Sequence, residues 1–222
     1  IHPSQKRKSS AEAEKWAAKS DDFLWRLVLP PTVPRRHYVN QLRGCPVHGA
    51  AVKDHETFHP WRLDVENHPW KLRCPVGGEW YPSNDFADGD LTSGPFPDDG
   101  WGCRVGDEDY YFIAEYAEQV YLNHVRHATA SLSRAYLLTG DPIFAHKAAI
   151  LLYRLADEYR HLSECLDDRA RCDCGYPRHL PRDPLTRPNG NGGVGMVTDR
   201  IWDNYYVDLF ATAYDDVFDA ID

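Results

Sequence analysis

The chain has 222 residues, a formal net charge of −9 at pH 7 and a hydrophobic fraction of 42%. That length suffices for one domain, or two small ones, with a sizeable core. The acidic balance argues against nucleic acid as a general partner, and no apolar run approaches the ~18 residues of a membrane span. Aromatic residues make up 13% of the chain, which is typical of a packed core and also of surfaces that stack on sugars.

The first segment, residues 1–29, is predicted to be helical. Ser20, followed by Asp21 and Asp22, predicts the start of a second short helix, because acidic residues suit the positive end of a helix. Prolines follow directly and end the segment.

The second segment, residues 30–109, is predicted to be rich in loops. From Arg43 to Cys103 it has almost no helical or strand periodicity, yet it holds three of the six cysteines, four of the eleven histidines and four of the seven tryptophans. Its many Pro, Gly and Asp residues predict ordered loops packed on helices. Asp and Asn residues, as in Asp98-Asp99, are expected to bond their own backbone at the loop corners.

The third segment, residues 110–222, is predicted to contain helical hairpins. Gly140 closes the first long helix, and Asp141-Pro142 supplies the N-cap and first-turn proline of the next. Such a short link requires an antiparallel pair. Residues 163–197 form a predicted loop, after which Thr198 caps a third helix.

Six blocks of sequence stand out by their order and spacing. They are GCPVHG (44–49), PWRLD (60–64), PWKL (69–72), CPVGGEWYPSNDF (74–86), YYF (110–112) and SRAYLLTGDP (133–142). Together they resemble the heparinase II/III-like polysaccharide lyases over most of residues 20–222. The resemblance implies an all-α fold, here an incomplete α/α toroid with a long loop-rich insert that contains the cysteines and tryptophans. It also implies an N-terminal fragment of a longer protein, with further hairpins and a C-terminal β-sandwich domain missing.

The activity implied by the resemblance is β-elimination on a uronic-acid polysaccharide such as a glycosaminoglycan. The expected partner is therefore an anionic polysaccharide, the expected location is the periplasm or the cell exterior, and catalysis requires no cofactor. Asn123 and His124 match the Asn/His pair with which such lyases contact the uronate, although His124 also fits the apolar stripe of its helix as a core residue. The catalytic Tyr and the main catalytic set are expected beyond Asp222, so that these 222 residues alone would be inactive.

Further candidates for substrate contact come from side-chain type and position. Trp101 is a candidate for stacking on a sugar, and Asn204 and Tyr206 are candidates for facing a cleft, with core or solvent placement as the alternative. An acidic chain that binds an anionic polymer needs a local basic surface. Arg35-Arg36-His37 and the Arg and His residues within 169–187 are candidates for that surface, with an ordinary solvated surface as the alternative.

Cys45, His48 and Cys74 have the ligand types and turn context of a zinc knuckle. The second knuckle lacks its fourth ligand, because Gly77 stands at that position. His55, His59, His68 and Cys103 are possible substitutes. A structural zinc ion is one interpretation, and a Cys45–Cys74 disulfide or plain buried thiols are the others.

Two other functions remain open from the sequence. A glycoside hydrolase on an α/α toroid would use paired carboxylates, such as Asp203 with Asp208 or Asp215 with Asp216. A non-catalytic helical module that binds glycan or protein would retain the cysteine-rich stretch as a structural insert.

Overall fold

The computed structural model describes residues 11–30, 43–56, 59–159 and 203–221. The chain divides into two compact units. The helical unit comprises Ile1–Pro30, Tyr121–Leu162 and Gly192–Asp222, and the loop-rich unit comprises Pro31–Val120 and Ser163–Asn191. The predicted first segment thus groups with helices of the predicted third.

The regular elements are short in the loop-rich unit and longer in the helical unit. The helices are α1 (11–17), α2 (Asp21–Leu27), α3 (Phe112–Val120), α4 (Arg126–Thr139), α5 (Pro142–Tyr159) and α6 (Asp203–Val217), with a π-helix at Tyr121–Val125. Turns of 3₁₀-helix occupy Ala50–Asp54, Phe86–Asp88 and Phe218–Ala220. The strands are β1 (Leu72–Arg73), β2 (Trp80–Tyr81), β3 (Cys103–Val105) and β4 (Glu108–Tyr110).

Three helix boundaries in the helical unit confirm the sequence predictions. The Ser20 hydroxyl accepts a hydrogen bond from the Phe23 backbone N–H at 3.1 Å and so caps α2. Gly140 ends α4 in the left-handed conformation, with φ 72°. The Asp141 carboxylate then accepts the N–H of Ile143 at 3.0 Å at the start of α5. The predicted cap at Thr198 lies outside the described residues.

The core of the helical unit forms where α4, α5 and α6 pack against one another and α5 also packs on α2. Leu132, Leu151 and Val217 are fully buried in this core. The buried Lys147 donates to the Lys19 carbonyl at 2.6 Å and to Asp21 at 2.7 Å, which joins α5 to the start of α2.

The predicted all-α fold, an incomplete α/α toroid, is wrong. The loop-rich unit contains two antiparallel two-stranded sheets, β1–β2 and β3–β4. The β3–β4 hairpin pairs Val105 with Glu108 and turns through Gly106, whose φ of 59° suits a two-residue hairpin loop. Gly106-Asp107 between two short runs is a hairpin signal in the sequence. Its flanking strands are too short to show a clear alternation.

Two buried polar side chains organise the loop-rich unit. Asp98 is fully buried, and its carboxylate accepts backbone N–H groups from Gly100 at 2.8 Å, Gly102 at 3.0 Å and Ile113 at 3.1 Å. Asn84, also fully buried, receives the Asp98 N–H at 2.8 Å and donates to the Asp98 carbonyl at 3.0 Å. The predicted Asx corners are therefore confirmed, and Asp98 additionally satisfies the N-terminus of α3.

Aromatic rings fill the space around this polar centre. Tyr81 stacks on Phe112 at a centroid distance of 4.9 Å, and Trp61 meets both rings edge to face.

None of the helices in the described ranges is long and apolar enough to cross a membrane.

Asp98→Ala should lower the free energy of unfolding by at least about 3 kcal/mol, because it leaves several buried N–H groups without an acceptor. Asp99→Ala is the matched control, since among the described residues the exposed Asp99 carboxylate accepts only the backbone N–H of Trp101. Urea unfolding followed by tryptophan fluorescence measures both. Equal, small losses for the two variants would contradict the central role of Asp98.

Glu115→Gln should stabilise the protein at neutral pH. Burial, and to a lesser degree the charge of Glu118, raise the pKa of Glu115 to about 8 from its ordinary value of 4.5. The folded state therefore keeps a proton that the unfolded state releases. This group's contribution to stability is complete below pH 4.5 and is lost as the pH rises to about 8, by roughly 1.4 kcal/mol per pH unit.

Glu115→Gln removes that loss, so at pH 7 its free energy of unfolding should exceed that of the wild type by up to about 3 kcal/mol. Urea midpoints from pH 4.5 to 8.5 give the two pH profiles. Glu66→Gln is the control variant, because Glu66 is exposed. A profile for Glu115→Gln that falls as steeply as that of the wild type would show that Glu115 ionises normally.

Candidate functional site

A short hairpin loop positions Cys74. Strands β1 and β2 pair Leu72 with Tyr81, and residues 74–79 connect them. Within this loop the Cys74 N–H donates to the Glu79 carbonyl at 2.8 Å, and the Gly78 N–H donates to the Cys74 carbonyl at 3.0 Å. The thiol is thereby fixed at the start of a tight turn.

A second loop of the same kind positions Cys45 and His48. The Cys45 N–H donates to the Gly49 carbonyl at 3.1 Å, and the Gly49 N–H returns to the Cys45 carbonyl at 2.7 Å. Both loops read Cys-Pro-Val-x-Gly, and their last glycines have φ of 52° at Gly49 and 83° at Gly78. Glycine adopts this left-handed conformation without steric cost, so the repeated sequence gives the repeated turn.

The two loops bring three metal-ligating side chains together. His48 Nδ1 lies 3.6 Å from Cys45 Sγ and 3.6 Å from Cys74 Sγ, and all three ligand atoms lie within 4.8 Å of one another. Both cysteines are free thiols and are buried. This group could bind a metal ion.

Hydrogen-bond donors surround the two sulfur atoms. The Val47 N–H donates to Cys45 Sγ at 3.4 Å, as expected for a knuckle that holds a thiolate. Burial raises the pKa of Cys74, and backbone N–H groups of Gly77 and Val76 oppose that rise. The Tyr81 hydroxyl lies 3.3 Å from Cys45 Sγ.

The possible substitute ligands lie elsewhere, as far as the described residues show. The group of neighbouring ligand atoms does not include His55, His59, His68 or Cys103. The His68 ring packs on Trp80 at 4.1 Å between centroids. Burial, followed by the charge of Asp98, raises the pKa of Cys103 to about 11.

A separate open cleft of about 550 Å³ lies between α4 and α6 in the helical unit. It is lined by Arg126, His127, Ala130, Ser133, Arg134, Tyr205, Asp208, Leu209, Thr212, Ala213 and Asp216. The wall on α4 carries the basic side chains, and the wall on α6 carries a tyrosine and the acidic ones.

The charges in the cleft are mixed. Asp216 accepts a hydrogen bond from the Ser133 hydroxyl at 3.4 Å. An Arg126 nitrogen lies 3.4 Å from His127 Nε2. Partial burial, and then the charge of Arg126, lower the pKa of His127 below its ordinary 6.5. This shift favours the neutral imidazole, which is the form that can accept a proton.

The predicted catalytic pair lies in the π-helix that precedes α4. Asn123 is exposed, and His124 packs edge to face on Trp16 at 6.1 Å between ring centroids. Burial, and then nearby His127, lower the pKa of His124. Turns of π-helix occur often at functional sites. Neither residue lines the cleft, where His127 stands instead.

The predicted substrate-contacting residues have different environments. Trp101 is partly exposed at a loop corner, where its backbone N–H donates to the Asp99 carboxylate at 2.9 Å. Tyr206 is buried and its ring stacks near Phe210. Its neighbour Tyr205 is 59% exposed and lines the cleft. The side chain of Asn204 is not among those described, and its predicted role stays a prediction.

The cleft was missed by sequence reasoning, although a signal for it exists. Its residues on α4 fall at positions 126–127, 130 and 133–134, about one helical turn apart, and Tyr205, Asp208, Thr212 and Asp216 on α6 recur at intervals of three and four. Such polar stripes mark one face of each helix. The basic residues proposed from sequence, at 35–37 and within 169–187, lie outside the described ranges.

Comparisons of the chain with protein-family models, with curated proteins and with solved structures found no match. The resemblance to the heparinase II/III-like lyases therefore stays a prediction from the sequence blocks.

Proposed function

We propose that the chain is part of a polysaccharide lyase that cleaves a uronic-acid-containing polysaccharide by β-elimination, outside the cytoplasm. The cleft between α4 and α6 is the observation that carries this proposal. Its arginines suit a uronate carboxylate, because the guanidinium fork matches carboxylate geometry. Its open shape suits a polymer chain.

The reaction needs three things of the site. A cation neutralises the C6 carboxylate, which acidifies the C5 proton. A base removes that proton, the electron pair forms the C4–C5 double bond, and the C4–O bond breaks as the leaving oxygen gains a proton. Arg126 and Arg134 have the charge for the first task, and His127 and Tyr205 have the chemistry for the proton transfers. Asn123 and His124 stay candidates for uronate contact.

Binding of a galacturonate oligosaccharide to the chain tests this proposal. Arg126→Gln and Arg134→Gln should each weaken binding by about tenfold, because each removes a charged hydrogen bond. Arg26→Gln is the control, since the exposed Arg26 pairs with Asp22 on α2, away from the cleft. Isothermal calorimetry gives the affinities.

The methyl-esterified oligosaccharide serves as the matched ligand, because it lacks the carboxylate charge. Equal binding of the ester and the acid would contradict recognition of uronate. Any cleavage should yield an unsaturated uronate, detected by its ultraviolet absorbance. New reducing ends without that product would favour a hydrolase, for which Asp208 and Asp216 in the cleft are candidate carboxylates.

We also propose that Cys45, His48 and Cys74 hold a structural zinc ion. Zinc–sulfur and zinc–nitrogen bonds of about 2.3 and 2.0 Å in a tetrahedron place S and N about 3.5 Å apart. The two S–N separations are 3.6 Å. An ion here would join two loops of a unit that has few helices and strands. Structural zinc ions stabilise small folds in the same way.

Zinc should protect Cys45 and Cys74 from alkylation by iodoacetamide and leave Cys103 unaffected. Peptide mapping by mass spectrometry, with and without one equivalent of zinc, measures this for each cysteine. Cys74→Ser should abolish the protection of Cys45, whereas Cys103→Ser should retain it. Identical labelling of Cys45 and Cys74 with and without zinc would contradict the site.

A further inference from the structure

The two cysteine loops differ at one position that matters for a metal ion. In the first loop, Cys45-Pro-Val-His48-Gly49, the fourth residue is a ligand. In the second loop, Cys74-Pro-Val-Gly77-Gly78, the fourth residue has no side chain. A tetrahedral structural zinc site requires four protein ligands. The loops themselves supply three.

The space beside Gly77 is already filled. A Cβ atom built on Gly77 would lie 2.3 Å from Glu79 Oε1, 2.4 Å from Glu79 Oε2 and 2.3 Å from His48 Cε1. The Glu79 carboxylate therefore occupies the volume into which a side chain at position 77 would extend. It also lies against the imidazole of the third ligand.

One oxygen of this carboxylate lies close to His48, one of the three members of the ligand cluster. Glu79 Oε2 lies 3.6 Å from His48 Nδ1, the same separation that this nitrogen has from each sulfur. Although the Glu79 side chain is 41% exposed, the Oε2 atom itself is buried and accepts no hydrogen bond from any residue in the described ranges. A buried carboxylate oxygen without a donor is costly, and a cation next to it removes that cost.

We propose that Glu79 is the fourth ligand of the zinc ion, which gives a Cys₂HisGlu site; this inference rests on the proposed zinc site. Zinc–nitrogen and zinc–oxygen bonds of about 2.0 Å place N and O about 3.3 Å apart in a tetrahedron. The observed 3.6 Å between nitrogen and oxygen is close to that value, but Glu79 is not in the group whose ligand atoms all lie within 4.8 Å of one another. Its side chain must therefore turn toward the two sulfur atoms to complete the tetrahedron.

The ligand set has a consequence for charge. Two thiolates and one carboxylate around a divalent cation leave a net charge of −1, and the neutral imidazole adds none.

The competing interpretation is an ion pair in which Glu79 faces a protonated His48 and takes no part in metal binding. The two interpretations differ in what zinc and cobalt report.

Zinc affinity of the whole chain, measured by competition with a chromophoric chelator, tests the assignment. Glu79→Gln should weaken zinc binding by more than about tenfold, since even outer-shell partners of a metal contribute that much. Glu66→Gln, an exposed glutamate in the same unit, should leave the affinity unchanged.

Gly77→Cys supplies the complementary test, because it places a ligand at the loop position that has no side chain. Gly77 is not in the left-handed region, and the atoms in its way are the ends of the Glu79 and His48 side chains. The variant should bind zinc at least as tightly as the wild type. Its cobalt form should gain thiolate-to-metal absorbance for a third sulfur. In this background Glu79→Gln should have no further effect on affinity.

The outcomes separate failure of the fourth ligand from failure of the site. Loss of zinc binding in Cys45→Ser and Cys74→Ser, with unchanged affinity in Glu79→Gln, would overturn the assignment of Glu79 and leave a three-residue site. Unchanged affinity in all three variants would overturn the zinc site as a whole. An effect of Glu79→Gln that persists in the Gly77→Cys background would also overturn direct ligation.

Discussion

The paired contact between Asn84 and Asp98 is the constraint on which the loop-rich unit depends. A unit with so few helices and strands leaves many backbone groups without regular partners, and each must find one when it is buried. Asn84 holds both backbone groups of Asp98, while the Asp98 carboxylate accepts N–H groups from its own turn and from the start of α3. Two side chains thus replace much of the hydrogen bonding that a sheet would supply.

The candidate metal site is likewise built from short local turns. One hairpin and one isolated turn present Cys-Pro-Val-x-Gly loops to each other. The fourth residue of the loop is His48 in one and Gly77 in the other. Tyr81 connects this site to the aromatic core, because its hydroxyl meets Cys45 while its ring stacks on Phe112. Substitution of Cys45, His48 or Cys74 should therefore alter the side-chain packing around α3.

Local signals in the sequence predicted local features well. Ser20, Gly140 and Asp141 mark helix ends by interactions within a few residues, and Cys45, His48 and Cys74 share a recognisable turn chemistry. Features that depend on distant contacts were not predictable in the same way. The toroid was wrong because helical periodicity in one part of the chain says little about short strands in another.

Side-chain direction explains the remaining differences. Tyr205 and Tyr206 are adjacent, so one faces the cleft and the other the core, and the sequence alone does not decide which. Likewise, Gly77 stands at the position where a zinc knuckle would carry a ligand, whereas the carboxylate that occupies the space beside it belongs to Glu79, two residues further on. Spacing rules for zinc knuckles do not include such a residue.

The closure between Asn84 and Asp98 also bears on how the segment between them can evolve. Its two ends are fixed by side chain and backbone bonds at 2.8 and 3.0 Å, while its outer part, from Leu91 to Pro95, is exposed. The entropic cost of lengthening a loop whose ends are already held grows only slowly with its length. This outer part is therefore where we expect extra residues to cost least, provided that the bonds that Ser83 and Asp90 make to Ser93 are kept.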